Sequence, residues 1–143
     1  MKKSEDIVTN KRIEEKITEL DKYLQEFRQI EIPEFEDYQK DFKTKAVCER
    51  YFEKIIESII SLSIFFIRAK HLDSPENEDH IFFILSKNKI LEEDFAKQLK
   101  DAKDMRNIIV HNYQKVEDVL VYNAIEEILM DAERFLEIIK RKA

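Results

Sequence analysis

The chain contains no glycine among its 143 residues. Glycine takes a positive backbone φ without steric cost, and two-residue hairpin turns, P-loops and dinucleotide-binding turns depend on it. Its absence excludes the glycine-dependent phosphate loops and argues against a β-sheet. Apolar residues recur instead at helical spacing, and the length suits one core. We therefore predict one all-α domain, residues 1–143, built as an up-and-down bundle of four to five helices.

Charge and hydropathy restrict the partners of the chain. Its net charge of −6 is unlike that of a general nucleic-acid coating protein, so RNA binding would have to be local, at a small cationic site. The N-terminal residues lack an apolar signal-peptide core. The most apolar stretch, Ile55 to Ile67, is short for a membrane span and contains Glu57. We expect a cytoplasmic protein with no membrane partner, in agreement with the single cysteine, Cys48, which cannot form an intramolecular disulfide.

The predicted helices are separated by turn residues. Thr9 is a potential N-cap for the first helix, Pro33 ends that helix, and residues 73–78 form the clearest loop. The helices are predicted to cover about residues 9–29, 34–70, 79–86, 91–113 and 116–140.

The second half of the predicted helix 34–70 is apolar around most of its circumference. Such a helix needs cover on several sides. A monomer of five helices can hardly supply that cover, so we expect a subunit interface at this helix.

The predicted helix 91–113 carries a charged side chain in the middle of its apolar face. At about 100° per residue, that face holds Phe95, Leu99, Ala102, Ile109, Val110 and Tyr113. Arg106 lies among them, although an arginine is almost never fully buried without a partner. Asn107 and His111 are four residues apart, so their side chains can touch. His111 lies about 140° around the helix from Arg106.

Two interpretations of Arg106 and His111 are open. In the first, Arg106 pairs with a carboxylate, for which Glu53 and Glu57 are candidates, and His111 is an ordinary polar residue at the edge of the apolar face. In the second, Arg106 faces a cleft and binds a phosphate through two parallel hydrogen bonds. His111 then transfers protons, as histidines do near neutral pH.

The second interpretation corresponds to RNA cleavage without a metal ion. That reaction needs a base for the 2′-hydroxyl, an acid for the leaving oxygen and a cation for the phosphate in the transition state. Each chain offers one suitable histidine in this region, His111. A symmetric homodimer would bring two copies of His111 together and supply both the base and the acid.

The segment from Arg106 to Tyr113 reads R-N-x-x-V-H-x-Y. It resembles the R-x-x-x-x-H-x-Y motif of the HepT-like HEPN ribonuclease toxins, which are encoded beside minimal nucleotidyltransferase antitoxins. Residues 45–57 are similar to the second helix of that family. With the segments that precede the motif, the resemblance covers roughly residues 45–127.

The resemblance implies a helical homodimer of a type VII-like toxin–antitoxin pair that cuts RNA at a composite site, without metal or cofactor. By position in the motif, Arg106 would stabilise the phosphate, His111 would act as acid and base, and Asn107 would orient the site or bind the ribose-phosphate. Tyr113 corresponds to the tyrosine that the antitoxin modifies with AMP. Because Tyr113 shares a helix face with Arg106, the added anion would block RNA sterically and electrostatically.

One stretch departs from the family pattern. Many relatives carry a glycine just before the motif, where this chain has Lys103-Asp104-Met105. The motif helix is therefore expected to be more continuous here, which affects the angle at which Arg106 leaves it.

The other histidines and the cysteine are expected to have structural roles. His71 follows the predicted long helix and His80 opens the next one. These positions suit capping or the surface better than metal binding, because no second ligand lies at a fixed helical spacing. Cys48 suits a buried thiol.

Two other functional classes remain open. The chain could be a non-catalytic helical subunit that binds a nucleotidyltransferase and presents its substrate, with Arg106 and His111 in structural or nucleotide-binding roles. It could also be a dimeric scaffold in which the motif ties helices together. Growth arrest on expression, lost in His111→Ala, separates the ribonuclease from both.

Overall fold

The computed structural model describes residues 2–111 and 117–143, and all the regular secondary structure in that part of the chain is helical. The elements are α1 (Lys2–Arg28), α2 (Phe35–Lys40), α3 (Phe42–Ala69), α4 (Glu78–Lys87), α5 (Glu93–His111) and α6 (Asp118–Lys142). The predicted all-α bundle is confirmed, and Pro33 lies between α1 and α2 as expected. Within the described residues, none of these helices has the length and hydropathy that crossing a bilayer requires.

The prediction of one continuous helix over residues 34–70 is wrong, because the helix is interrupted at Asp41, between α2 and α3. The Asp41 carboxylate accepts a hydrogen bond from the Thr44 backbone N–H at 3.1 Å and another from the Thr44 hydroxyl at 2.7 Å. These bonds satisfy donors at the start of α3, so Asp41 acts as its N-cap. They also lower the pKa of the Asp41 carboxyl.

The predicted N-cap at Thr9 is also wrong. The first helix begins at Lys2, and Thr9 lies inside it with its side chain buried. A threonine caps a helix only where the chain enters it from a non-helical conformation. Here the preceding residues are themselves helical, with Glu5 in the first turn where an acid suits the helix dipole.

The central helix α3 packs against every other helix of the bundle. Its apolar residues are covered within the chain: Ile55, Ile59, Leu62 and Phe66 are completely buried. The expectation that the apolar circumference of this helix needs a second subunit is therefore wrong, because five neighbouring helices surround it. The same core includes Phe95 and Leu99 of α5, which fixes the face that α5 turns inward.

Two helices end in the left-handed backbone conformation that is usually left to glycine. His71 after α3 has φ 55° and Lys89 after α4 has φ 58°. In both places a backbone N–H reaches back across the helix end, from Leu72 to the Ile67 carbonyl at 3.0 Å and from Ile90 to the Leu85 carbonyl at 2.9 Å. These are Schellman-type C-caps, formed here without glycine.

The helix α4 begins beside the second half of α5 and positions the candidate site. The Asn77 side chain accepts a hydrogen bond from the His80 backbone N–H at 2.9 Å and caps the helix. The next two residues are Glu78 and Asp79. Because α4 packs on both α3 and α5, these two carboxylates are directed at the side chains of α5.

Candidate active site around Arg106 and His111

Arg106 extends the buried face of α5 towards its C-terminal end. It lies seven residues after Leu99, which is completely buried, so both point to the same side of the helix. The Arg106 side chain is only 11% exposed. The predicted position of a charged group within the apolar face is therefore confirmed, and such a group needs partners of opposite charge.

Two carboxylates from other helices contact the Arg106 guanidinium. Nη2 donates a hydrogen bond to Glu78 Oε1 at 2.8 Å, and Nη1 lies 3.8 Å from Glu57 Oε1. Both carboxylates remain open to water, since the side chains of Glu78 and Glu57 are 44% and 49% exposed. Arg106 Nε is buried and has no hydrogen-bond partner among the described residues. The guanidinium is thus held at the edge of the core, with carboxylates on its outer side.

Of the two glutamates considered from the sequence, only Glu57 contacts Arg106. Glu53 pairs with Arg50 on the preceding turn of its own helix, at 2.9 Å. The shorter contact of Arg106, with Glu78, was not anticipated. No pattern within α5 reveals this contact, because Glu78 lies 28 residues away in the sequence. The only local sign is that two adjacent acids, Glu78 and Asp79, follow the N-cap of α4.

A second cation on α5, Lys103, was also missed. Its side chain is 6% exposed, and its ammonium group contacts Asp79 of α4 and Asp104 of its own helix. Burial lowers the pKa of Lys103, but the hydrogen bonds to Asp104 and Asp79 outweigh it and raise the pKa overall. The bond from Lys103 lowers the pKa of Asp79. Two ion pairs, Glu78–Arg106 and Asp79–Lys103, therefore join the start of α4 to α5.

Asn107 and His111 lie on a different side of α5 from Arg106. Asn107 is half-buried, whereas His111, the last residue of the helix, is exposed. His111 is displaced from Arg106 by about 140° around the axis and about 7.5 Å along it. The arrangement within one chain is thus a partly covered guanidinium beside a solvent-accessible imidazole. Tyr113 lies outside the described residues.

The segment that replaces the family's glycine is helical. Residues 103–105 lie within α5, which runs from Glu93 to His111. The expected continuity of the motif helix is confirmed, and it is what keeps Arg106 in line with Leu99.

The other histidines and the cysteine have the structural positions that the sequence predicted. His71 follows the end of α3, with its Nε2 3.6 Å from Asp6 Oδ1. The Nδ1 atom of His80 accepts a hydrogen bond from the Glu76 backbone N–H at 3.0 Å. Cys48 is completely buried, and burial raises the pKa of its thiol to about 11. Among residues 2–111 and 117–143, no three His, Cys, Asp or Glu side chains are grouped so that they could hold a metal ion.

Two nucleases resemble this chain in sequence. The mRNA nuclease HepT of Shewanella oneidensis is 25% identical over 103 residues, which cover 72% of this chain and 77% of that protein. The tRNA nuclease HepT of Aphanizomenon flos-aquae is 25% identical over 113 residues, 79% of this chain and 77% of that protein.

Solved structures share the fold. The tri-AMPylated HEPN toxin of Shewanella oneidensis, in complex with its MNT antitoxin, superposes with a TM-score of 0.82 at 23% identity, over 90% of this chain and 96% of that one. YutE of Bacillus subtilis, described as a cytosolic protein of unknown function, superposes with a TM-score of 0.79 at 19% identity, over 93% and 89% of the two chains. At these identities the structures establish a common HEPN fold.

The sequence pattern of the family described as Ribonuclease HepT-like matches residues 13–139. The match includes Arg106, His111 and both carboxylates that contact Arg106. Since it spans most of the 143 residues and agrees with the fold, this chain belongs to the HepT-like ribonuclease family.

Proposed function

We propose that this protein is a metal-independent endoribonuclease toxin that is restrained by a nucleotidyltransferase antitoxin. The observation that carries the proposal is the low exposure of the Arg106 side chain, which is 11% exposed. Arg106 lies on the same helix as His111, the exposed residue at which α5 ends. A cation with little water around it interacts strongly with a phosphate, because the local dielectric constant is low. The names of the two related nucleases, which act on mRNA and tRNA, support RNA as the substrate.

In the proposed reaction, Arg106 stabilises the charge that develops on the phosphate while His111 moves protons. One imidazole removes the proton of the 2′-hydroxyl, and an imidazolium gives a proton to the leaving oxygen. Asn107, one helical turn before His111, would orient the imidazole or bind the ribose-phosphate. Two imidazoles are required at once, so we propose that a second copy of the chain supplies the other His111.

Exposed apolar side chains near His111 support a homodimer at this end of the bundle. Ile108, one turn before His111 on α5, is 45% exposed, and Val119 and Leu120 at the start of α6 are 39% and 50% exposed. Burying such side chains against a second copy would stabilise an interface next to the site.

The carboxylates around Arg106 set a condition on substrate binding. Glu78 and Glu57 face the two Nη atoms, so an incoming phosphate has to replace at least the Glu78 hydrogen bond. Both glutamates are about half exposed, and their release into water therefore has a modest energetic cost.

Antitoxin control would act through Tyr113. This residue follows His111 by two positions, and a structurally similar toxin is described as tri-AMPylated in complex with its antitoxin. AMP attached to Tyr113 would place negative charge beside the catalytic motif and repel RNA. Incubation with ATP and the cognate antitoxin should add the mass of AMP to the wild type and not to Tyr113→Phe.

One observation favours a second candidate function, the non-catalytic substrate-binding subunit of a nucleotidyltransferase. Both Nη atoms of Arg106 face carboxylates of the same chain, which is also what a structural arginine would show. Under this alternative Arg106 joins α3, α4 and α5, and His111 has no part in proton transfer.

Cleavage of total cellular RNA in the presence of EDTA distinguishes the two functions. The matched variants are His111→Ala, which removes the proposed acid and base, and His71→Asn, which removes an exposed histidine beside Asp6. We expect wild type and His71→Asn to cut RNA, and His111→Ala to be inactive while remaining folded and dimeric. If unmodified, folded wild type is inert, the second candidate function is favoured.

A further inference from the structure

A groove runs along the outer side of α4 and α5, next to the ion pairs that join these helices. Its volume is about 590 Å³. Its lining includes apolar side chains and three lysines: Phe82, Phe83, Ala96, Lys87, Lys97 and Lys100. None of these side chains belongs to the motif that contains Arg106 and His111.

Phe83 presents an aromatic face in this groove. Its side chain is 60% exposed, whereas its neighbour Phe82 is 2% exposed and belongs to the core. The ring of Phe83 is stacked on His80, with 5.8 Å between centroids and 20° between planes, so its orientation is fixed from one side. An exposed, oriented ring of this kind can stack on a nucleobase, which has a π-face whatever its sequence.

The lysines make the groove locally cationic although the whole chain is acidic. Among the ion pairs of the described residues, Lys100 takes part in a long one with Asp104, at 3.9 Å, and Lys87 and Lys97 take part in none. Two carboxylates also line the groove, Asp79 and Glu93.

These carboxylates do not cancel the lysines. Asp79 is paired with the buried Lys103, so its charge is already offset. Glu93 lies in the first turn of α5, at the positive end of the helix dipole. Asp104, one turn further along α5, contacts both Lys103 and Lys100. The three lining lysines and Lys103 therefore face three carboxylates, of Asp79, Glu93 and Asp104, and one positive charge is left in excess for a phosphate backbone.

The face of α5 that carries Lys97 and Lys100 in the groove continues towards the candidate active site. Lys97, Lys100, Asp104, Asn107 and His111 follow one another at intervals of three and four residues. Side chains at this spacing lie on one face of a helix. Along the axis, Lys100 is about 17 Å from His111. A strand whose scissile phosphate lies at His111 can therefore reach the groove with the nucleotides that flank the cut.

We propose that the groove between α4 and α5 binds the unpaired RNA that flanks the cleaved bond. Lys87, Lys97 and Lys100 contact its phosphates, and Phe83 stacks on one base. This inference rests on the proposed ribonuclease function and narrows its substrate to single-stranded RNA, because a paired base cannot leave its stack to lie on Phe83.

The test measures binding separately from cleavage. In a His111→Ala background, which prevents cutting, the affinity for a fluorescein-labelled oligo(U) 20-mer is measured by anisotropy over a range of salt concentrations. The test variants are the double variant Lys97→Gln/Lys100→Gln and the single variant Phe83→Leu. The matched control is Lys11→Gln/Lys22→Gln, two exposed lysines on α1. Circular dichroism verifies that each variant is folded.

We expect the groove variants to weaken binding and the control to leave it unchanged. The double lysine variant should bind roughly tenfold more weakly, with the slope of log K against log salt reduced by about 1 to 2. Phe83→Leu should weaken oligo(U) binding by roughly fivefold or more, since one stacked base is lost, and should not change binding of a 20-base-pair RNA duplex.

Three outcomes would overturn the proposal. The first is that all groove variants bind oligo(U) within twofold of the parent, or that the parent does not bind it. The second is equal affinity for the RNA duplex. The third is that poly-L-glutamate displaces labelled oligo(U) as effectively as unlabelled RNA does, in the parent and in Phe83→Leu alike, which would indicate a surface for acidic proteins. Cleavage by the protein that retains His111 is recorded independently, so groove-dependent binding without cleavage refutes only the ribonuclease function.

Discussion

At the scale of single residues, the chemistry of the site depends on how Arg106 is neutralised. Its side chain is 11% exposed, so its charge has few waters to stabilise it. Glu78 and Glu57 provide the opposite charge, from α4 and α3. Removing one partner of a poorly hydrated ion pair destabilises a protein mainly because the other charge is left uncompensated.

Glu78→Gln is therefore expected to lower the free energy of unfolding by about 1 kcal/mol. The same change in an Arg106→Met background should have almost no effect, since no cation then needs compensation. Glu76→Gln, at an exposed position two residues earlier, is the matched control. Urea unfolding of the four proteins measures the coupling, and equal losses in both backgrounds would contradict the assigned contact.

A second residue-scale prediction concerns Asp131 on α6. Burial, and then the nearby charge of Glu127, raises the pKa of its carboxyl above the ordinary 3.8. The pKa of Asp131 is higher in the folded protein than in the unfolded chain, so protonation of Asp131 stabilises the folded protein at pH values below the unfolded pKa. This stabilisation is lost as the pH rises through the folded pKa. Asp131→Asn should therefore raise Tm at pH 7 and not at pH 3, whereas Asp101→Asn, at an exposed position inside α5, should change neither. A lower Tm at pH 7 would contradict this.

The residues of the site were only partly predictable from the sequence. The place of Arg106 in an apolar face follows from helical periodicity, and Glu57 could be considered because it lies in the most apolar stretch of the sequence, residues 55–67. The contact of Glu78 with Arg106 and that of Asp79 with the buried Lys103 could not be predicted, since the partners lie on different helices and meet only after the bundle forms.

At the scale of the elements, the lack of glycine determines how helices end. The left-handed positions after α3 and α4 are taken by His71 and Lys89, where a Cβ atom has a steric cost that glycine avoids. The ends are held by the backbone hydrogen bonds of Leu72 and Ile90. The helical type of the elements was predictable because apolar residues recur at helical spacing over long segments. The break between α2 and α3 at Asp41 was not predictable, because neither proline nor glycine marks it.

Lys89→Gly is expected to raise the free energy of unfolding by about 0.5 kcal/mol. Relief of the left-handed strain, about 1 kcal/mol or more, exceeds the extra entropy that glycine gives the unfolded chain. Lys97→Gly inside α5 is the control and should lower stability by about 1 kcal/mol. Chemical denaturation measures both, and a destabilising Lys89→Gly would show that the side chain of Lys89 matters more than its backbone.

At the scale of the whole molecule, α3 connects the other helices into one core. We propose that residues 1–143 unfold as one domain, since each of the other helices would expose apolar side chains if it separated from α3. The chain has 5 tyrosines and no tryptophan, so tyrosine fluorescence can be compared with the far-ultraviolet circular dichroism of the helices. The two urea transitions should coincide; two separated transitions would indicate independent units.

The central claim is that Arg106 and His111 act together in one metal-independent site, and a double-mutant cycle on RNA cleavage in EDTA tests it most directly. Wild type, Arg106→Ala, His111→Ala and the double variant are compared on one RNA oligonucleotide under single-turnover conditions. We predict that each single variant slows cleavage by roughly a hundredfold or more, and that the double variant loses little beyond the worse single one. Cleavage at the wild-type rate by either single variant, or no cleavage by folded, unmodified wild type, would contradict the account.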